Sequence, residues 1–75
     1  MARILYFGRL AEALGRADEQ VRLGADGRPA GDLRRLHSAL GAPEVKLVVN
    51  RELASDDTPV SDNDEIAFLP PVSGG

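Results

Sequence analysis

The sequence contains no cysteine, which excludes disulfide staples and thiolate metal sites alike. Histidine occurs once, at His37, and that leaves too few parts for a histidine metal cluster or a Ser-His-Asp triad. Basic residues are not in excess. Nine Lys/Arg against twelve Asp/Glu give a net charge of -3, whereas nucleic-acid binding favours a clustered basic face. No apolar run approaches the roughly 18 residues that mark a membrane span. The opening "MARILYFGRL" has too short an apolar stretch for a signal peptide. The 75 residues suffice for one domain, and a domain of that size buries only about 60% of the surface of its unfolded chain. A deep cleft walled on all sides does not fit inside it. These absences predict a cytoplasmic protein without nucleic-acid, membrane or metal partners, and argue against a self-contained enzyme of the usual kinds.

What is present is patterned. A hydrophobic content of 43% supports a modest core. "RILYFG" (3–8) reads as a strand buried on both faces or nearly so, closed by Gly8. "RLAEALG" (9–15) predicts a short helix, with Gly15 in the left-handed position after it. "EQVRLG" (19–24) alternates, placing Val21 and Leu23 on one face of a strand. Asp26-Gly27 and Pro29 are turn chemistry. "DLRRLHSALG" (32–41) carries Leu33, Leu36 and Leu40 at helical spacing, with Asp32 as a candidate cap and Pro43 just beyond. "KLVVN" (46–50) is a strand. Residues 51–64 read as loop or short edge strand anchored by Leu53 and Val60. "EIAFLP" (65–70) is the last strand, which Pro70 ends because it has no N–H to donate. The order predicts an α+β domain, a mixed sheet with one main helix packed across it.

The chain finishes on "PPVSGG". Pro70 and Pro71 stiffen an extended backbone. Gly74 and Gly75 lack a Cβ and fit a channel that any other residue would block. The four residues after Pro71 reach roughly 13 to 14 Å when extended. A terminal carboxylate delivered in this way is inert until another protein activates it, for example by joining it to a nucleotide phosphate. Sulfur attack on the mixed anhydride then gives a thiocarboxylate, and amine attack gives an isopeptide bond. Two terminal glycines alone are a weak signal, since a truncation point or an expression scar leaves the same residues.

The stretch "DNDEIAFLPPVSGG" (62–75) resembles the C-terminus of the small, sulfur-carrying subunits of molybdopterin synthase (the MoaD family). Glu65, Ile66, Ala67, Phe68, Pro70, Pro71, Val72, Ser73, Gly74 and Gly75 all fit that ending. "ILYFGRLAEALG" (4–15) and "LVVNRE" (47–52) are similar to the family's opening strand and helix and to its central strand and turn. The resemblance implies a β-grasp, ubiquitin-like fold over residues 1–71 and a flexible tail over 72–75. It implies that an E1-like adenylyltransferase (MoeB-like) uses ATP to adenylate Gly75, that a thiocarboxylate forms there, and that the tail threads into the large synthase subunit (MoaE-like). Sulfur then passes to cyclic pyranopterin monophosphate. On this view the chain itself binds no cofactor, and the acid–base residues of the sulfurtransferase lie in the large subunit of a heterotetramer. Gly75 is the reacting residue, Gly74 and Ser73 give access, and Leu53, Leu69, Pro70, Pro71 and Val72 meet the partners. Carriers for thiamine or tRNA thiolation, ubiquitin-like modifiers and an inert β-grasp module share parts of this pattern. Two departures stand out. Ala30-Gly31 replaces a frequent Thr-Val at the helix start. Asp62-Asn63-Asp64 replaces Asp-Gly-Asp, with Asn63 expected to tolerate a left-handed backbone.

Among the other residues, Phe68 is expected in the core and Leu69 on a docking patch beside Leu53. Six of the twelve acidic residues fall between Glu52 and Glu65 and read as a solvated loop. Arg9, Arg34, Arg35, Lys46 and Arg51 read as surface charge, and His37 as partly exposed packing. Asp62 and Asp64 lack the glycine and later glutamate of a calcium loop.

Overall fold

A computed structural model describes residues 1–71. Seven strands and three helical segments follow in the order β1 (Ala2–Tyr6), α1 (Arg9–Leu14), β2 (Asp18–Val21), β3 (Arg28–Pro29), two 3₁₀ segments (Ala30–Leu36 and Ser38–Gly41), β4 (Lys46–Val49), β5 (Glu52–Ala54), β6 (Pro59–Val60) and β7 (Glu65–Leu69). Five strands form one sheet in the order β2-β1-β7-β4-β5, and β3 pairs with β6 in a separate ribbon. β1 and β7 run parallel, and the other pairings in the main sheet are antiparallel. This is the mixed sheet of a β-grasp domain.

The inner face of the sheet holds the core. Ile4, Tyr6, Leu47, Ile66 and Phe68 project inward and are buried with Leu33, Leu40 and Val60. Phe68 therefore takes the core position expected for it. β1 departs from the two-sided burial its composition predicts: Ala2, Ile4 and Tyr6 are buried, Arg3 is exposed and Leu5 is half-buried. The reason is that no element covers the opposite face. α1 forms as expected, and Gly15 closes it in the left-handed region (φ 72) with its N–H donated to the Ala11 carbonyl. β2 begins one residue earlier than predicted and ends at Val21. Leu23 beyond it is still buried, and its N–H donates to Asp62 Oδ1 at 2.6 Å.

The main helical region is where the physical detail differs. In place of one α-helix over 32–41, two 3₁₀ segments are separated at His37, whose backbone is extended (φ -145, ψ 140). Asp32 does not cap. The donors at the start are already taken, since the Ala30 N–H bonds the Thr58 carbonyl at 2.7 Å and the Gly31 N–H bonds the Asp56 carbonyl at 2.9 Å. Gly31 is also the residue the packing demands, because a Cβ there would sit 2.8 Å from Asp56 Cβ. At the other end Arg34 donates to the carbonyls of Leu40, Ala42 and Val45, and its guanidinium also grips Asp56. Arg34 is thus a structural tie, with its side chain only 16% exposed, and not free surface charge. Leu36 lies at the break and is left partly exposed, while Leu33 and Leu40 reach the core.

β4 and β5 join through Asn50 and Arg51, both at positive φ (50 and 71), as a two-residue hairpin turn requires. The acidic turn before β7 forms, with Asp64 N–H donating to the Ser61 carbonyl. Asn63 is not left-handed, however, since Asn50 and Arg51 are the non-glycine residues with positive φ among the described residues. Asp64 Oδ2 instead accepts from the Ser61 N–H at 2.7 Å, and this side-chain bond holds the turn without a left-handed residue. No helix among the described residues is long and apolar enough to cross a membrane.

Candidate functional site

The site is built on the outer face of the sheet and on the end of β7. Register places Leu5, Ala67, Val48 and Leu53 in one cross-strand row from β1 through β7 and β4 to β5. In the next row Leu69 lies opposite Lys46. Phe7 follows Tyr6, which pairs with Phe68, so its N–H reaches the Phe68 carbonyl at 3.2 Å and its ring joins the outer face. Two of these side chains are unusually open for their size: Leu53 is 77% exposed and Phe7 46%.

Beside Leu69 the surface forms an open groove of about 710 Å³ lined by Phe7, Gly8, Glu44, Lys46, Leu69, Pro70 and Pro71. Of the residues predicted for partner binding, the structure brings Leu69, Pro70 and Pro71 together. Leu53 shares their face but stands on β5, with β4 between it and β7, and it does not line the groove. Val72, Ser73, Gly74 and Gly75 lie outside the described residues.

Sequence reasoning placed Phe7 only within a strand buried on both faces or nearly so, and assigned Gly8 only to closing it. The signal for Phe7 was its spacing of two from Leu5 on one strand, which puts both on one face. Gly8 adopts φ 55 and ψ -130 and touches the root of the tail, since a Cβ there would meet Pro70 Cγ at 3.1 Å. Lys46 was set aside as surface charge, yet its register opposite Leu69 puts it in the groove.

The inner side of β7 is braced beneath this groove. The Tyr6 ring stacks on Phe68 at a centroid distance of 6.0 Å and meets the His37 ring edge-on at 5.7 Å. Tyr6 Oη donates to Glu19 Oε1 at 2.5 Å, and His37 Nε2 lies 2.7 Å from the same oxygen. Arg16 meets Glu19 Oε2 at 3.0 Å. The hydrogen bond from Tyr6, and then that from His37, hold the Glu19 carboxyl below its ordinary range. Burial, reinforced by that carboxylate, pushes the Tyr6 hydroxyl upward. His37 is therefore half-buried packing, in keeping with its sequence reading.

At the start of β7, Asn50 acts as a clamp. Its side-chain amide donates to Asp64 Oδ1 at 2.9 Å and accepts from the Glu65 N–H at 3.0 Å, and its own N–H reaches the Glu65 carbonyl at 2.8 Å. The Asn50 bond, followed by that from the Ser61 N–H, keeps Asp64 below the usual carboxylate range. Leu23 does the same for Asp62. Both aspartates hold local backbone in place. Among the described residues no group of three or more His, Asp or Glu side chains is placed to hold a metal ion.

This arrangement offers a rigid strand, an apolar outer face and an exit at two prolines. The comparisons with known proteins agree with it. The molybdopterin synthase sulfur carrier subunit of Escherichia coli (strain K12) is 36% identical over 84 aligned positions covering 100% of both chains. That of Mycobacterium tuberculosis (strain ATCC 25618 / H37Rv) is 35% identical over 78, covering 96% of this chain and 94% of the relative. Among solved structures, SAMP1 from Haloferax volcanii superposes with a TM-score of 0.79 at 27% identity, covering 99% of this chain and 98% of that one. The model of the ThiS family matches residues 4–75. The chain belongs to the ThiS family, and with the molybdopterin synthase sulfur carrier subunits it shares likeness over essentially its whole length.

Proposed function

We propose that this chain is the sulfur-carrying small subunit of a molybdopterin synthase and works through the carboxylate of Gly75. An E1-like adenylyltransferase joins that carboxylate to the AMP moiety of ATP with release of pyrophosphate. A sulfur donor displaces AMP and leaves a thiocarboxylate. The outer face docks on the large synthase subunit while residues 72–75 enter that subunit's pocket, where sulfur passes to cyclic pyranopterin monophosphate. Two such transfers build a dithiolene. Phe7, Leu69, Pro70 and Pro71 form the near part of the docking face and Leu53 the far part, with Gly74 and Ser73 giving access. The large subunit supplies the acid–base groups. The chain acts in the cytoplasm and needs no cofactor of its own.

The observation that carries this reading is the extent of the likeness. The family match runs through residue 75, so the diglycine lies inside it, and two full-length relatives are carrier subunits of this synthase. A second reading has its own support, since the small archaeal modifier protein 1 of Haloferax volcanii superposes with a TM-score of 0.77. On that reading, an amine would attack the same adenylate.

Incubation with the activating enzyme, ATP and a sulfur donor, followed by intact mass, separates the two. A shift matching replacement of one oxygen by one sulfur is expected, followed by dithiolene product once large subunit and precursor are added. High-mass adducts on cellular proteins would favour the modifier, and the absence of both the sulfur shift and such adducts with every activating enzyme tried would refute both. Gly75→Ala is expected to abolish the mass shift with the unfolding midpoint unchanged.

A further inference from the structure

We propose that Lys46 is the residue by which the docking face recognises the large subunit, its ammonium pairing with a carboxylate that the partner presents among apolar side chains. This rests on the docking reading above and adds a specificity determinant to it.

Lys46 begins β4 directly opposite Leu69, on the exposed side of the sheet, and lines the groove with Phe7, Leu69, Pro70 and Pro71. Its surroundings are therefore almost wholly apolar. The other cation on this face, Arg3, is already matched, lying 3.2 Å from Asp18. Lys46 has no acid within 4.0 Å among the described residues, and Glu44, the other charged residue of the groove, makes no ion pair with it. Among the described residues its charge is unmatched, which suits it to an incoming group.

A partner that covers the groove strips water from that ammonium. An ammonium buried without a counter-charge is strongly disfavoured, whereas one met by a well-placed carboxylate is tolerated and fixes register. The competing outcome is that the four-carbon stem lies along the apolar surface and carries the charge to water at the rim. The groove sits where β7 gives way to Pro70 and Pro71, so a subunit that takes in the tail covers it fully. The pairing is assigned to the large subunit, the partner that the full-length likeness to synthase carrier subunits implies.

The test measures affinity of full-length Lys46→Glu, Lys46→Met and Lys46→Arg for the purified large subunit and, separately, for the activating enzyme at two salt concentrations, with thermal unfolding as a control. Lys46→Glu is expected to weaken binding on the order of a hundredfold. Lys46→Met should weaken it about tenfold and flatten the salt dependence, and Lys46→Arg should stay within about threefold of wild type. Lys46→Met binding as tightly as wild type with an unchanged salt slope would show that the ammonium reaches solvent, and overturns the proposal. Loss of binding only to the activating enzyme overturns the assignment of partner. Leu53→Ala separates this from the underlying reading. If Leu53→Ala weakens binding while the Lys46 variants do not, only the role of Lys46 fails. If neither weakens it, the docking face itself is wrong.

Discussion

Gly8→Ala tests whether the strand before α1 sets the direction in which the tail departs. Gly8 sits at φ 55 and ψ -130, a region that side-chain-bearing residues avoid at about 1–3 kcal/mol. Replacing glycine by alanine recovers about 0.4–1 kcal/mol by narrowing the unfolded ensemble, so the net loss is about 1–2 kcal/mol. A domain of this size loses about 4–8 °C in unfolding midpoint per kcal/mol, which predicts a drop of roughly 5–15 °C. The new Cβ also meets Pro70 Cγ at 3.1 Å, so the proline ring must move by a few tenths of an ångström. Pro70 lines the groove proposed for docking, and its movement should weaken large-subunit binding measured well below the melting range. Gly15→Ala is the matched control. It too has a positive φ, of 72, but nothing lies within 4 Å of its added Cβ. It should lose about 0.5–1 kcal/mol and leave partner affinity unchanged. Equal effects of the two substitutions on both stability and binding would refute the coupling of Gly8 to Pro70.

Arg34→Ala removes the ties to the carbonyls of Leu40, Ala42 and Val45 and should cost about 2–3 kcal/mol in urea unfolding, whereas Asp56→Asn, at an exposed carboxylate, should cost under about 1 kcal/mol. Glu19 has its folded carboxyl lowered, so its contribution is present above the ordinary glutamate range and is lost as pH falls through the lowered folded value. Unfolding midpoints followed from neutral to acid pH should fall less steeply for Glu19→Gln than for wild type, and identical slopes would refute this. Arg51→Gly relieves a left-handed backbone at φ 71 and should raise the unfolding free energy measured in urea by about 0.5 kcal/mol after the added chain entropy of glycine.

Much of the fold is legible in the sequence because its signals are local. The continuous apolar runs at β4 and β7, the left-handed Gly15 and the Pro70 stop each act within a few residues. The failures have longer-range causes. Leu33, Leu36 and Leu40 carry helical spacing, but the loop at 56–58 occupies the first backbone donors and Arg34 gathers the last carbonyls, so the segment tightens into 3₁₀ turns and breaks at His37. Asp32 has the right chemistry for a cap that another part of the chain makes unnecessary. Asn63 invites a left-handed turn that the Asp64 carboxylate closes by other means. The site was half legible. Leu69 and the prolines announce themselves beside the diglycine, but Lys46 and Phe7 join them only through the register of β4 and β1 against β7, which no local pattern encodes.

That register explains why the tail is rooted on β7. β7 lies in the middle of the sheet, bonded on one side to β1 and on the other to β4. Freeing it means breaking two ladders at once, and such central strands open only with the whole domain. An edge strand such as β5 would fray and carry its end with it. Pro70 and Pro71 then stop both ladders at a fixed residue, because neither can donate to a neighbour. The inner side of the same strand is locked by Phe68 against Tyr6, and its outer side turns Leu69 into the groove. Ending β7 at fixed prolines keeps the residue from which the chain continues at a constant place beside the face proposed for docking, and it requires that the outer face stay apolar and uncovered, as Phe7 and Leu53 are.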